Sequence, residues 1–175
     1  AYQPVAVARS TLTLTPDQDW NKLNARIGRN AETWTLDGDL LNNLTFYGGI
    51  ENGRTLFREV DRRNHPLPQF QSTMIINDIP TLVEGSYRIV NSISNFTVTS
   101  QEPTQFAGAD GIHFSYDFIG QDEILRRGEA WGAVIDGKLY LMTFEAPAIH
   151  FFDAGIASAR ALASSARIVS AAGRR

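Results

Sequence analysis

Alternation of apolar and polar residues marks the β-strands of this sequence. The alternation is strict over residues 112–119, where Ile, Phe, Tyr and Phe take turns with His, Ser and Asp, so one face of that strand is apolar and the other polar. The same period of two predicts further strands at residues 9–14, 33–36, 40–46, 54–60 and 96–99. The pairs Asp37-Gly38 and Asp110-Gly111 predict tight turns before two of these strands.

The clearest unit is a hairpin over residues 124–146. Its two β-rich arms are separated by Asp136-Gly137, a pair suited to the positive φ angles of a type I′ turn. A two-residue turn there pairs Val134 with Leu139 and Ala133 with Tyr140, and it leaves both faces of the hairpin apolar. A sheet that is apolar on both faces must be covered on both, so the pattern predicts three layers.

Two helices are predicted after the first strands. Asp78 and Pro80 mark the start of one, because Asp is favoured at the N-cap and the missing N–H of proline is harmless in the first turn. We expect this helix to reach about Asn91. An alanine-rich stripe predicts the second helix from about Ile149 to Ile168.

This order of elements resembles the PsbP/Mog-like superfamily. The specific points of resemblance are a terminal helix that opens with paired aromatics at Phe151 and Phe152 and a close on Ser164-Ser165-Ala166-Arg167-Ile168. The resemblance implies an α+β fold in which a mostly antiparallel sheet is covered by helices on both faces, a three-layer α/β/α sandwich. It transfers no catalytic residue, and it implies a binding or accessory module, since bacterial members are often exported lipoproteins without an assigned activity.

The length and composition are consistent with that class. A chain of 175 residues fits a single domain, with residues 1–8 as an extended N-terminal segment and residues 170–175 as a frayed tail. Cysteine is absent, which excludes disulfides and thiolate chemistry, and a net charge of −3 argues against nucleic-acid binding. No apolar run approaches the roughly 18–20 residues of a membrane span.

The first residues, Ala1 to Ala8, lack an initiator Met and a basic leader. We expect such a start just after a removed signal peptide or a lipoprotein anchor, although a cloning boundary has the same appearance. The expected location is therefore the bacterial periplasm or cell envelope, with any lipid anchor on an upstream lipobox.

Motifs for catalysis or metal binding are weak. His113, Ser115 and Asp117 supply the residue types of a hydrolytic triad, but on one strand His113 and Asp117 stand about 13 Å apart, so Asp cannot orient His. His113 and His150, even with Glu145 or Asp153, lack a metal-ligand spacing. We therefore predict no catalytic residue, no metal and no cofactor.

The long Pro-rich loop predicted at residues 61–77 is the remaining candidate region, because His65-Pro66-Leu67-Pro68 excludes regular structure. Residues in and around it either line a groove for a partner or small ligand or hold the loop on the core: Tyr47, Phe57, His65, Phe70 and Met74. Further binding candidates lie on the polar strand face and near the second helix: His113, Asp117, Glu145 and His150.

The leading hypothesis is a non-enzymatic accessory or binding domain of the cell envelope, whose partner is an unknown envelope protein or a small ligand. The alternatives are a small-molecule hydrolase and a cytosolic protein-binding adaptor.

Overall fold

The main sheet of the computed structural model is antiparallel throughout, and it has seven strands in the described part of the chain, residues 2–93 and 95–169. Its strands are β3 Asn21–Lys22, β4 Ala31–Thr35, β5 Asn43–Ile50, β6 Phe96–Phe106, β7 Ala109–Ile119, β8 Leu125–Ile135 and β9 Lys138–Pro147. They lie in the order β3-β4-β5-β9-β8-β7-β6 across the sheet. A smaller sheet joins β1 Val5–Ala6, β2 Leu12–Leu14 and β10 Arg167–Ile168. The tail predicted at residues 170–175 lies outside the described residues.

Two α-helices complete the α+β fold among these residues, α1 Ile79–Val90 and α2 Phe151–Ser165. A 3-10 turn at Ile76–Asp78 leads into α1, which has its proline in the first turn as predicted. Gly155 lets α2 lie close to the sheet, because a Cβ there would come within 2.6 Å of Phe144 Cζ. Neither described helix has the length and apolarity needed to cross a membrane.

Successive residues of β8 and β9 divide between two hydrophobic clusters. The first joins the α2 residues Phe152, Ile156 and Leu162 to alternate sheet residues that include Trp131, Met142 and Phe144. The second joins the α1 residues Ile79, Val83 and Tyr87 to the intervening sheet residues that include Ala130, Leu139 and Leu141. The apolar residues predicted on both faces of the hairpin are thus buried in separate cores.

The β8–β9 hairpin confirms the predicted register. Val134 pairs with Leu139 and Ala133 with Tyr140. Asp136 and Gly137 have φ angles of 52° and 75°, the left-handed values that a type I′ turn requires at both positions.

Four local predictions were wrong. Asp37-Gly38 forms no two-residue turn and β5 begins only at Asn43, because Asn42 Oδ1 accepts from the Leu36 and Asp37 N–H groups and holds residues 36–42 as a wider loop. Residues 54–60 form no strand, because their backbone bonds go to other loops: Phe70 N–H donates to Arg54 O, and Arg58 N–H donates to Ile27 O. The strand predicted at 96–99 continues to Phe106, and the chain turns at 107–108 rather than at Asp110-Gly111. The second helix ends at Ser165, since residues 167–168 pair with β2.

Candidate functional site

A buried carboxylate, Glu145 in β9, lies at the centre of the most developed polar site. Only 8% of Glu145 is exposed. Tyr116 of β7 donates a hydrogen bond to its Oε2 atom over 2.5 Å. Tyr87 of α1 donates to the same oxygen from the helix side. The carboxylate therefore ties three separate elements together.

The sheet register explains how Tyr116 reaches Glu145. Tyr116 pairs with Gly128 on β8, and Gly128 pairs with Glu145 on β9. The phenol must cross β8 to arrive at the carboxylate, and a Cβ at Gly128 would lie 2.3 Å from Tyr116 Cζ. Only glycine leaves room for this crossing, which is the close approach that glycine within a strand often marks.

Burial sets the protonation of this cluster. Burial raises the pKa of Glu145, and the hydrogen bonds from Tyr116 and Tyr87 oppose that shift without cancelling it. Burial, together with the charge of Glu145, raises the pKa of both tyrosines well above the ordinary value. Both phenols are therefore neutral donors near neutral pH. Their protons satisfy Oε2, whereas no described residue donates to Oε1.

Glu145 also lines two adjoining cavities of 450 and 560 Å³. The residues common to both, which define the Glu145 cleft, are Asp39, Leu40, Asn43, Val90, Asn91 and Glu145. The rim of the cleft is open to water and partly apolar, with Leu40 72% exposed and Val60 of the larger cavity 97% exposed, and it also carries the exposed polar residues Asp39 and Asn91. At the floor, Asn43 Oδ1 is buried without a hydrogen-bond partner in the described structure. The cleft thus combines exposed apolar side chains with acceptors below them that no described residue contacts.

A second polar cluster surrounds His113 on the sheet face that carries α2. His113 Nε2 lies 2.7 Å from Glu129 Oε1, its Nδ1 lies 3.1 Å from Glu102 Oε1, and its ring stacks on Trp131 at 4.9 Å. Arg160 of α2 donates to both oxygens of Glu129, at 3.1 and 2.6 Å. This network attaches α2 to β8, and none of its members lines the Glu145 cleft.

Each group in this network favours the charged form of its neighbour. The hydrogen bond that His113 donates to Glu129 raises the pKa of His113. Burial raises the pKa of Glu129, but the hydrogen bonds from His113 and Arg160 outweigh burial and bring the pKa below its ordinary value. In the described part of the chain, no three His, Asp or Glu side chains are grouped to hold a metal ion.

The other residues singled out in the sequence are placed as follows. Phe70 is fully buried in the second cluster and Met74 is packed against that cluster. His65 and His150 are exposed. Asp117 forms an ion pair with Arg127 over 3.1 Å. A ligand-binding role for any of them stays a prediction.

Two of the predicted residues lie near the tyrosines that bind Glu145. Phe57 lines the larger cavity, and its ring lies 5.6 Å from that of Tyr87 and 6.3 Å from that of Tyr47. The Tyr47 hydroxyl is buried, with no partner in the described residues. Tyr87 and Tyr116 were not predicted as site residues. The one signal in the sequence was the predicted hairpin register, which extends to a pairing of Glu145 with Gly128 and so leaves space beside Glu145 for a side chain from the next strand.

Comparison with known proteins rests on structure alone. No protein-family model matches the sequence, and no curated protein sequence matches it significantly. The solution structure of cyanobacterial PsbP (CyanoP) from Synechocystis sp. PCC 6803 is similar with a TM-score of 0.61, at 14% identity over 97% of this chain and 93% of that chain. The Saccharomyces cerevisiae Ran-binding protein Mog1p is similar with a TM-score of 0.54, at 8% identity over 98% and 97%. The chain has the PsbP/Mog-like fold.

A further structure with the PsbP/Mog-like fold is LpqN of Mycobacterium tuberculosis, which is involved in cell envelope biogenesis. It matches with a TM-score of 0.46, at 12% identity over 97% of this chain and 91% of that chain. The predicted resemblance to the PsbP/Mog-like superfamily is confirmed at the level of fold. At these identities the similarity concerns the fold only.

Proposed function

We propose that this chain is a non-enzymatic binding domain that takes a small ligand in the Glu145 cleft and serves as an accessory module of the bacterial cell envelope. The observation that carries the proposal is a buried carboxylate with one oxygen unpartnered by any described residue, on the floor of a cleft whose rim is open to water and partly apolar. The two cavities fall within the range of about 300–1,000 Å³ that small-molecule sites occupy.

Catalysis fits the cleft less well than binding. A hydrolase needs a nucleophile within hydrogen-bonding reach of a base. The described partners of Glu145 are two neutral phenols rather than a histidine or a serine. The histidine with carboxylate partners, His113, belongs to the network that contacts α2 through Glu129 and Arg160. A binding role also agrees with the use of this fold by Mog1p, a Ran-binding protein.

The proposal includes the finer architecture, in which residues 1–175 form one three-layer α/β/α domain. The separate clusters around α1 and α2 support it. The envelope location extends the resemblance to exported members of the superfamily, and fractionation of the native protein tests it. Recovery from the cytosol would leave the binding cleft as proposed and reject the envelope role.

Titration of the ¹⁵N-labelled protein with a library of small organic fragments tests the binding role by NMR. We expect shifts that concentrate at residues 39–43 and 90–91, which line the cleft. The Leu40→Ser variant should weaken the binding, because it removes apolar surface from the rim. Ile149→Ser is the matched control, since Ile149 is 87% exposed and lies outside the cleft. Binding that spreads over other surfaces, or that weakens equally in both variants, would contradict the proposal.

A further inference from the structure

The geometry points to a ligand class for the Glu145 cleft: we propose that it binds an organic ammonium group that donates to Glu145 Oε1, with an apolar body against Leu40 and Val90. This inference rests on the proposed binding function. It goes beyond that function by naming the chemistry that the cleft selects.

The floor of the cleft leaves hydrogen-bond acceptors without donors. The two phenolic protons of Tyr87 and Tyr116 are used on Glu145 Oε2. Glu145 Oε1 and the buried Asn43 Oδ1 are acceptors without a partner among the described residues. An ammonium group carries three donors and no acceptor. It therefore complements this floor, whereas a carboxylate or phosphate ligand would add acceptors to acceptors.

Charge in the cavities also favours a cation. Arg126 lines the smaller cavity and its charge acts on Glu145, but both of its terminal nitrogens donate to Asp122, at 3.0 and 2.7 Å, so they are not available to Glu145 Oε1. In the larger cavity Arg26 donates to the Ala31 carbonyl and Arg58 is exposed to water, where its charge is screened. Asp39 lines both cavities together with Glu145. The acidic residues Asp39 and Glu145 thus line both cavities, whereas each of the three arginines lines only one of them.

Burial of Glu145 also favours a charged donor over a neutral one. Burial raises the pKa of this carboxyl, so its ionised form is destabilised by lost hydration. A cation at Oε1 replaces that hydration with a charge-assisted hydrogen bond, which is about twice as strong as a neutral one. A neutral donor would relieve the carboxylate less.

The lining of the cleft suits an organic cation better than a metal ion. A metal needs several oxygen or nitrogen ligands, and no group of three candidate side chains exists among the described residues. The rim instead presents apolar surface, with Val90 43% exposed beside Leu40. An apolar body attached to the ammonium would bury this surface.

Matched probes test the inference: benzylammonium, benzyl alcohol and benzoate, titrated by NMR near neutral pH at moderate salt. We expect benzylammonium to bind about tenfold more tightly than benzyl alcohol, and benzoate to show no shifts in the cleft. Glu145→Gln should reduce the affinity for benzylammonium to that for the alcohol. Glu51→Gln is the matched control for net charge, because Glu51 is exposed and lies outside the cleft. The affinity of the Glu51→Gln variant for benzylammonium should equal that of the wild type.

A second variant keeps the test decisive if Glu145→Gln does not fold. Asp39 is exposed, so Asp39→Asn should fold, and we expect it to weaken benzylammonium about threefold while leaving benzyl alcohol unaffected. Equal binding of benzylammonium and benzyl alcohol would overturn the ammonium inference and leave the binding function standing. Benzylammonium binding that survives Glu145→Gln unchanged would overturn it as well. If none of the three probes shifts the cleft residues, both proposals fail.

Discussion

Replacing Gly128 with alanine should disrupt the carboxylate–tyrosine cluster from a position outside it. The new Cβ would lie 2.3 Å from Tyr116 Cζ, 2.4 Å from Cε2 and 2.7 Å from the hydroxyl oxygen. These contacts involve a ring that is fully buried, so the ring has little room to move away. The tyrosine must shift, and the hydrogen bond to Glu145 is lost with it.

The expected loss of stability follows from three contributions. Overpacking of a buried site costs about 1–3 kcal/mol. Loss of the phenol–carboxyl hydrogen bond costs about 1–3 kcal/mol more. Alanine recovers about 0.4–1 kcal/mol by restricting the unfolded chain. The net decrease in the free energy of unfolding is about 1–5.5 kcal/mol.

Urea denaturation of the wild type and four variants measures this decrease: Gly128→Ala, Gly120→Ala, Tyr116→Phe and the Tyr116→Phe, Gly128→Ala double variant. Gly120→Ala is the control, because a Cβ there meets only the flexible ends of Arg126 and Asp122, at 3.1 Å. In a Tyr116→Phe background the ring clash persists, so Gly128→Ala should still destabilise, by the overpacking part alone. The reasoning is refuted if Gly128→Ala is no more destabilising than Gly120→Ala.

Three further predictions concern the titrating groups. Glu145→Gln should flatten the pH dependence of stability. The pKa of Glu145 is raised above 4.5 in the folded protein, so the unfolding free energy of the wild type falls as pH rises from the unfolded pKa to the folded pKa. Urea titrations at a series of pH values measure this fall, and parallel curves for the two proteins would contradict the prediction. His113→Gln should destabilise most at low pH, because the pKa of His113 is raised from 6.5 and its contribution is lost as pH rises through the folded value; thermal unfolding as a function of pH shows whether the difference from the wild type shrinks. Arg160→Gln should lower the unfolding free energy by about 1–2 kcal/mol, because it leaves the buried Glu129 with His113 as its remaining described partner; an unchanged urea midpoint would contradict this.

The parts of the fold that could be predicted are those whose information is local. The β8–β9 register follows from Asp136-Gly137 and from the alternation on either side of it, all within about twenty residues. Helix α1 could be predicted for the same reason, from Asp78 and Pro80 at its start. The failure at residues 54–60 has a different origin. Leu56 and Phe57 are buried in the second cluster from an irregular loop. Apolar residues in such a loop and apolar residues in a short strand give the same pattern in the sequence.

The candidate site could be predicted only in part. Glu145 was singled out, and the predicted hairpin pairs it with Gly128, but its partners come from far along the chain. Tyr116 is 29 residues away and Tyr87 is 58 residues away. Their approach depends on the β7–β8 register and on the docking of α1, which are tertiary features. Phe57 was a candidate because it lies close in sequence to the predicted Pro-rich loop. In the structure its ring packs near that of Tyr87, which donates to Glu145.

The arrangement around Glu145 differs from that of Glu129, and the difference bears on function. Glu129 is a buried carboxylate with cationic partners at both oxygens, and its pKa is lowered in spite of burial. Glu145 has two neutral donors on a single oxygen, and its pKa stays raised. A buried acid that served stability alone would gain from a partner on each oxygen, as Glu129 has. Glu145 instead keeps Oε1 without a described partner beneath a partly apolar rim, and a bound cation would complete there what Arg160 completes for Glu129.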